Sequence, residues 1–311
     1  MTSIARALPL TLAVALVMAT SARADTLAAV APAGDDVRKA LLVGPSGQVW
    51  EPDGAGTWTR RAEGGVSADV RGAAVASSAL IVAGKSAPLF RRDGDRWTAM
   101  RLGERGRTVV GTGPRPSLAI GKLVFVWTGT TWKRVGRTTG AITALWAASE
   151  TKVYAGSDSA LVKLAGGGGF GPIATGTPAV VALAGAVPWA VTGDGVYEVA
   201  ARRAHRPTVG GAPLSVFLVT ATVDTAWALG TTSTGPALAR FHKGAWTDAV
   251  PPPLPADDPP LALIADTSGG LLVATRGGAV LFAGSDGAWT AGTRADALPV
   301  APPGPGPARG R

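Results

Sequence analysis

The chain has no cysteine. Disulfides, thiolate-bound zinc, iron–sulfur clusters and thiol nucleophiles are therefore excluded. Histidine is almost absent: His205 and His242 are the only two, which leaves no material for a His-rich metal centre. Tyrosine is equally scarce, with Tyr154 and Tyr197 alone. Charged residues make up 16% of the chain, against roughly 25% in an ordinary soluble domain. That poverty of charge excludes a coiled coil. The 46% of hydrophobic residues excludes a solvating, disordered chain. Past the first two dozen residues no apolar run approaches the ~18 residues of a membrane-spanning helix. What the chain has in plenty is glycine, 43 of 311 residues.

Residues 1–24 read as a secretory signal peptide. Arg6 supplies the positive start, Leu8 to Ala19 the short apolar stretch, and Ala22-Arg23-Ala24 the cleavage site, so Asp25 becomes the new N-terminus. A periplasmic or extracellular location follows, with no transmembrane anchor after cleavage. In such an oxidising compartment a chain without cysteine must be held by its core alone. At the other end, residues 297–311 are rich in Pro, Gly and Arg and are expected to be disordered.

Residues 25–296 are organised as a repeat. One marker is a turn followed by an aromatic: Asp53-Gly-Ala-Gly-Thr-Trp58, Asp93-Gly-Asp-Arg-Trp97, Thr128-Gly-Thr-Thr-Trp132, Gly166-Gly-Gly-Gly-Phe170, His242-Lys-Gly-Ala-Trp246 and Asp286-Gly-Ala-Trp289. The steps are 39, 35, 38, 76 and 43 residues, so the long step hides a degenerate copy, placed at His205-Arg206-Pro207. A second marker precedes each of these: three apolar residues and a Gly, as in Leu41–Gly44, Ile81–Gly84, Leu118–Gly121, Val153–Gly156 and Trp227–Gly230, with weaker forms at Trp189–Thr192 and Leu272–Thr275. Seven copies in phase result.

Short apolar runs separated by Gly, Ser and Asp at 8 to 12 residues read as strands and turns. Each unit holds four strands; in the fourth they are Ile142–Ala148, Lys152–Gly156, Leu161–Leu164 and Phe170–Ala174. A unit of this size cannot bury both of its faces alone, whereas packing units around an axis buries them all. The expected fold is therefore all-β, a single seven-bladed β-propeller of four-stranded blades. The marker aromatics are expected to wedge between blades. The termini fall in the first and last blades, an arrangement that would close the ring without a mixed blade. A β-helix is the competing geometry, with shorter coils.

The blade markers resemble those of a family of secreted bacterial propellers, whose units run from a strand like Val-Trp-Ala-Val-Gly to an Asp-Gly-x-x-Trp turn. Asp224-Thr-Ala-Trp-Ala-Leu-Gly230 with Lys243-Gly-Ala-Trp246, Lys152-Val-Tyr-Ala-Gly156 and Asp286-Gly-Ala-Trp289 carry the likeness. The turns are also similar to the Asp-box hairpin of sialidase-like propellers. Glu51-Pro-Asp-Gly-Ala-Gly-Thr-Trp58 comes nearest, without the Ser of that motif. The likeness implies a fold and no function.

Sialidase chemistry would need a Tyr nucleophile paired with Glu. Tyr154 lies inside a strand marker and reads as packing. Tyr197 and Glu198 are neighbours on a strand and point to opposite faces. The acidic pairs Asp35-Asp36 and Asp257-Asp258 read as loop carboxylates. His242 reads as a surface side chain, and His205 as a filler of the missing aromatic's volume. Gly166 to Gly169 lacks the helix and the Lys-Ser/Thr of a phosphate loop and reads as a hairpin turn. No catalytic residue, metal site or cofactor is expected.

Charge is the one uneven property. Residues 60–137 hold fifteen Lys and Arg against five Asp and Glu. Arg60, Arg61, Arg91, Arg92, Arg96, Lys133 and Arg134 fall on the outer strands of the first three blades and form a candidate basic rim. Such a rim attracts anionic partners. After secretion these are a protein or an anionic envelope component such as a lipid headgroup or glycan; nucleic acid is not expected. The alternative reading is a solubilising edge that blunts strand pairing. Pro251 to Pro260 reads as a stiff connector between units six and seven. The leading function is a non-enzymatic, monomeric binding or scaffold module of the bacterial envelope. The alternatives are a lectin-like propeller with exposed Trp platforms and, behind it, a glycoside hydrolase or lyase.

Overall fold

A computed structural model describes residues 26–295, apart from short stretches at 34–35, 64–65, 67–69, 77–78, 85–88, 95, 103–105 and 174–178. The expected signal peptide and C-terminal tail lie outside the described residues. Among the described residues no helix is long and apolar enough to cross a membrane.

Seven sheets, each with four antiparallel strands, form the blades of a propeller. Their innermost strands are Ala29–Ala31, Val70–Ala76, Thr108–Gly111, Ala144–Ala147, Val180–Ala184, Ser215–Ala221 and Pro260–Ala265. Each packs against the innermost strand of the next blade, and that of blade 7 packs against that of blade 1, so the ring is closed. The strands of blade 4 are Ala144–Ala147, Val153–Gly156, Leu161–Leu164 and Phe170–Pro172, in the places and order read from the sequence.

Burial explains the repeat. The second strand of each blade is covered on both faces by neighbouring sheets: all of Ala79–Gly84, Ser117–Ile120, Val153–Gly156 and Leu271–Thr275 are buried. This is the apolar-apolar-Gly marker, read as a continuous run because neither face meets water. Each Val or Leu so buried contributes roughly 1.5–3 kcal/mol. The outer strands, such as Arg96–Met100 and Ala245–Ala249, are half-exposed and carry the polar residues.

The turns before the outer strands are built by side chains. In blade 1, Asp53 Oδ1 accepts hydrogen bonds from the N–H groups of Ala55 (2.7 Å) and Thr57 (3.0 Å). Asp286 Oδ1 accepts one from Ala288 in blade 7, and Thr128 Oγ1 accepts one from Thr131 in blade 3. In blade 6 the loop is Lys243-Gly244 with both φ angles positive (51° and 85°), as a tight type I′ hairpin requires.

The marker aromatics fill the seams behind them. Trp58 of blade 1 shares a core with Leu272, Val280 and Phe282 of blade 7, and its indole N–H donates to Ala40 O at 2.8 Å. Trp97 packs on the core that contains Val43 and Val49 of blade 1, and Phe170 on Val124 and Val126 of blade 3. Trp289 packs with Trp227 and Leu229 of blade 6. His205 departs from the pattern. Its ring faces forward, 5.0 Å from Phe241 and 6.2 Å from Trp246 of blade 6, and 5.3 Å from Trp189 of its own blade.

Ring closure differs from the expectation. After blade 7 the chain continues into Thr293–Ala295, which lies parallel to the outer strand of blade 1 with Thr293, Arg294 and Ala295 opposite Thr57, Trp58 and Thr59. Blade 1 is thus a mixed, five-stranded sheet holding both ends of the ring. The added strand satisfies an edge that would otherwise present unpaired backbone groups. Two further elements were absent from the sequence reading. A short hairpin, Thr208–Val209 with Ala212–Pro213, sits between blades 5 and 6, and a 3-10 turn at Val37–Lys39 lies within blade 1. The proline-rich connector is tied down: Pro252 is buried and Leu254 packs into the core between blades 6 and 7.

Candidate functional site

The seven rim residues separate into two groups. Arg91 and Arg92 stand on the third strand of blade 2, Leu89–Asp93, not on its outermost strand. Being adjacent, they point to opposite faces. Arg92 turns inward, is only 6% exposed, and pairs with Glu51 of blade 1 at 2.7 Å. It clamps two blades together, and removing Glu51 would leave the buried Arg92 charge uncompensated. Arg91 pairs with Asp93 at 2.8 Å, and Lys133 with Glu150 of blade 4. The Arg60 guanidinium lies over the buried Trp50 ring, 5.8 Å from its centroid. Arg61, Arg96 and Arg134 are exposed on the outer strands of blades 1, 2 and 3, and none of the three has an ion pair among the described residues. These three are the cations of the rim that remain open to a partner.

A second feature lies on the axis. The register shifts near the start of the innermost strand in blades 2, 5, 6 and 7, at Arg71, Val181, Phe217 and Leu261. Such bulges re-aim side chains. Arg71, Val181 and Leu261 line an axial cavity of about 790 Å³, joined there by Arg107, Thr108 and Thr112. The lining is hydroxyl, aliphatic and guanidinium.

A third feature was not foreseen. Between blades 3 and 4 the outer rim is notched by a cavity of about 790 Å³. Lys122, Arg134 and Arg137 of blade 3 line one side, and Gly167 and Gly168 of blade 4 the other. The four-glycine run is the turn expected from the sequence, and it folds over the edge of blade 3 through a bridge between Arg137 and Gly169. The close approach requires Gly136, since a Cβ there would lie 2.5 Å from Gly168 O. Only the excess of cations in residues 60–137 hinted at this site.

The residues weighed for enzymology are placed elsewhere. Tyr154 and Tyr197 are both buried in the core between blades 4 and 5. Glu198 points the other way and meets His205 Nε2 at 3.2 Å. His242, expected on the surface, is half-buried with Nδ1 3.2 Å from Thr225 Oγ1. Asp36 accepts the N–H of Arg38, and Asp258 accepts the N–H of Gly277 and the hydroxyl of Thr275. Among the described residues no group of three His, Asp or Glu is arranged to hold a metal ion. The N–H groups of Thr57 and Ala55 hold the Asp53 carboxyl below the usual carboxylate range. Of the ten tryptophans, Trp50, Trp58, Trp127, Trp146, Trp189 and Trp227 are buried, and Trp97, Trp132, Trp246 and Trp289 are half-buried.

No family model matches the chain, and no curated protein matches it. Solved structures do resemble it. YCF48 from Cyanidioschyzon merolae superposes with a TM-score of 0.62 at 15% identity, over 86% of this chain and 97% of that one. The computationally designed Ika8 protein gives 0.55 at 14% identity, over 87% and 96%. The extracellular domain of a hybrid two component system from B. thetaiotaomicron gives 0.53 at 9%, over 83% of this chain and 40% of that one. At these identities the likeness shows the fold: the chain is an all-β, seven-bladed propeller.

Proposed function

We propose that the protein is a non-enzymatic binding module of the bacterial envelope that presents the outer strands of its basic blades to an anionic partner. The observation that carries this reading is the placement of Arg61, Arg96 and Arg134, exposed on the outer strands of three consecutive blades and without ion pairs among the described residues. Long-range attraction by such a surface concentrates an acidic partner and weakens as salt is raised. The signal-peptide pattern of residues 1–24 supports the envelope location. The inward placement of the tryptophans weighs against the lectin reading, which needs aromatic platforms in water. The lining of the axial cavity weighs against a hydrolase, whose paired carboxylates would converge there.

The test is crosslinking and affinity capture of the mature protein from envelope fractions of its source cells, at low and at moderate salt, beside an R61E/R96E/R134E variant. The reading predicts a partner held at low salt, released at moderate salt and lost by the variant. Capture of the same partner in equal yield by the variant would overturn it.

A further inference from the structure

The notch between blades 3 and 4 carries a more specific inference. Lys122 stands on the turn between the second and third strands of blade 3, and Arg134 and Arg137 on its outer strand. All three are exposed, and none has an ion pair among the described residues. Among the described residues no Asp or Glu lines the cavity, so three positive charges share one wall with no described carboxylate beside them. Like charges gathered in a concave site raise the local concentration of counter-ions. The opposite wall is main chain rather than side chain. Gly167, Gly168 and Gly169 form it without side chains, and Gly167 and Gly169 are exposed. Thr139 adds an exposed hydroxyl.

We propose that this notch binds a phosphate group carried on a larger molecule. Three unpaired cations match a multiply charged anion better than a single carboxylate. Two guanidinium forks and an ammonium are the donors that suit phosphate oxygens. The cavity of about 790 Å³ exceeds a lone phosphate many times over, so the group arrives on something of sugar or headgroup size. The same chemistry is offered by a soluble phosphorylated sugar and by an anionic lipid headgroup. The proposal rests on the binding-module reading and names a ligand class for one part of its surface.

The test uses the mature protein labelled with nitrogen-15. It is titrated with inorganic phosphate, with a sugar monophosphate, and with phosphatidylcholine vesicles with and without phosphatidic acid. The expected result is that phosphate and the sugar phosphate shift the amide signals of Gly167 to Gly169. An R134Q/R137Q variant should weaken binding at least about tenfold, while R61Q/R96Q leaves it unchanged. Stronger binding of the sugar phosphate than of acidic vesicles identifies a soluble ligand, and the reverse identifies a membrane headgroup. Glycine signals that stay fixed under every probe overturn the proposal, as does equal weakening by both variants. Failure here with salt-sensitive envelope capture intact removes the notch and leaves the rim. Phosphate binding with capture unchanged in R61E/R96E/R134E does the opposite.

Discussion

Blades 1 and 3 end in the same kind of strand and treat its outer edge in opposite ways. In blade 1 the strand Thr57–Glu63 is followed outward by Thr293–Ala295, whose Thr293 N–H donates to Gly56 O at 3.0 Å. Behind it, Trp50 is enclosed, with Arg60 on its ring and Arg294 5.1 Å from its centroid. In blade 3 the strand Trp132–Arg137 is the last of its sheet, and beyond it the one backbone bridge among the described residues joins Arg137 to Gly169. One edge is sealed by the chain's own end. The other is left open beside unpaired cations. In a propeller the inner strands hold the ring together, so the fate of the outer edges is where one blade can be given to closure and another to binding.

The marker tryptophans of the two blades should separate the two roles most strongly. Trp58 is fully buried with its indole N–H satisfied, whereas Trp132 is half-buried with its indole N–H unpartnered. Trp58→Ala is expected to cost about 3–5 kcal/mol by denaturant unfolding, the range for a buried aromatic. Trp132→Ala should cost less than half of that, and equal losses would erase the distinction between the edges.

Ending the chain at Ala291 removes the fifth strand and the Arg294 contact with Trp50. A loss of about 1–3 kcal/mol is expected from a few backbone hydrogen bonds and one cation–π contact. The melting temperature should fall and the emission of Trp50 should move toward that of a wetter ring. An unchanged melting temperature would mean that the ring closes without this strand.

The charge contrast is smaller. Arg134→Glu, on the open edge, is expected to change stability by no more than about 0.5 kcal/mol. Smallest of all is the turn at Asp53. Its carboxyl is held below its ordinary value by two backbone N–H groups, so its contribution is present above the unfolded-state pKa. That contribution is lost as the pH falls through the depressed folded value. Asp53→Asn should flatten this acid-side slope in a pH series of melting temperatures; an unchanged slope would remove Asp53 from the account.

Much of this was legible in the residues. The second strands read clearly because burial on both faces leaves an apolar run ending in Gly, and the outer strands because each opens on a turn and an aromatic. The degenerate fifth unit was placed correctly at His205, although its ring turns forward to blade 6, which spacing cannot reveal. The closing strand was not legible: Thr293-Arg294-Ala295 joins the sheet by backbone pairing and has no hydrophobic signature. Arg91 and Arg92 show the limit of period-two reasoning. Adjacent residues must face apart, but only the position of Glu51 in the neighbouring blade decides that Arg92 is the one enclosed. The notch escaped for the same reason, since it joins blade 3 cations to a blade 4 turn.

Hydrogen–deuterium exchange on the intact protein tests the contrast between the two edges most directly. The account predicts slow exchange across Thr57–Thr59, held between two strands, and faster exchange across Lys133–Val135, whose strand is paired on one side only. Equal protection of the two segments, or greater protection in blade 3, would contradict it.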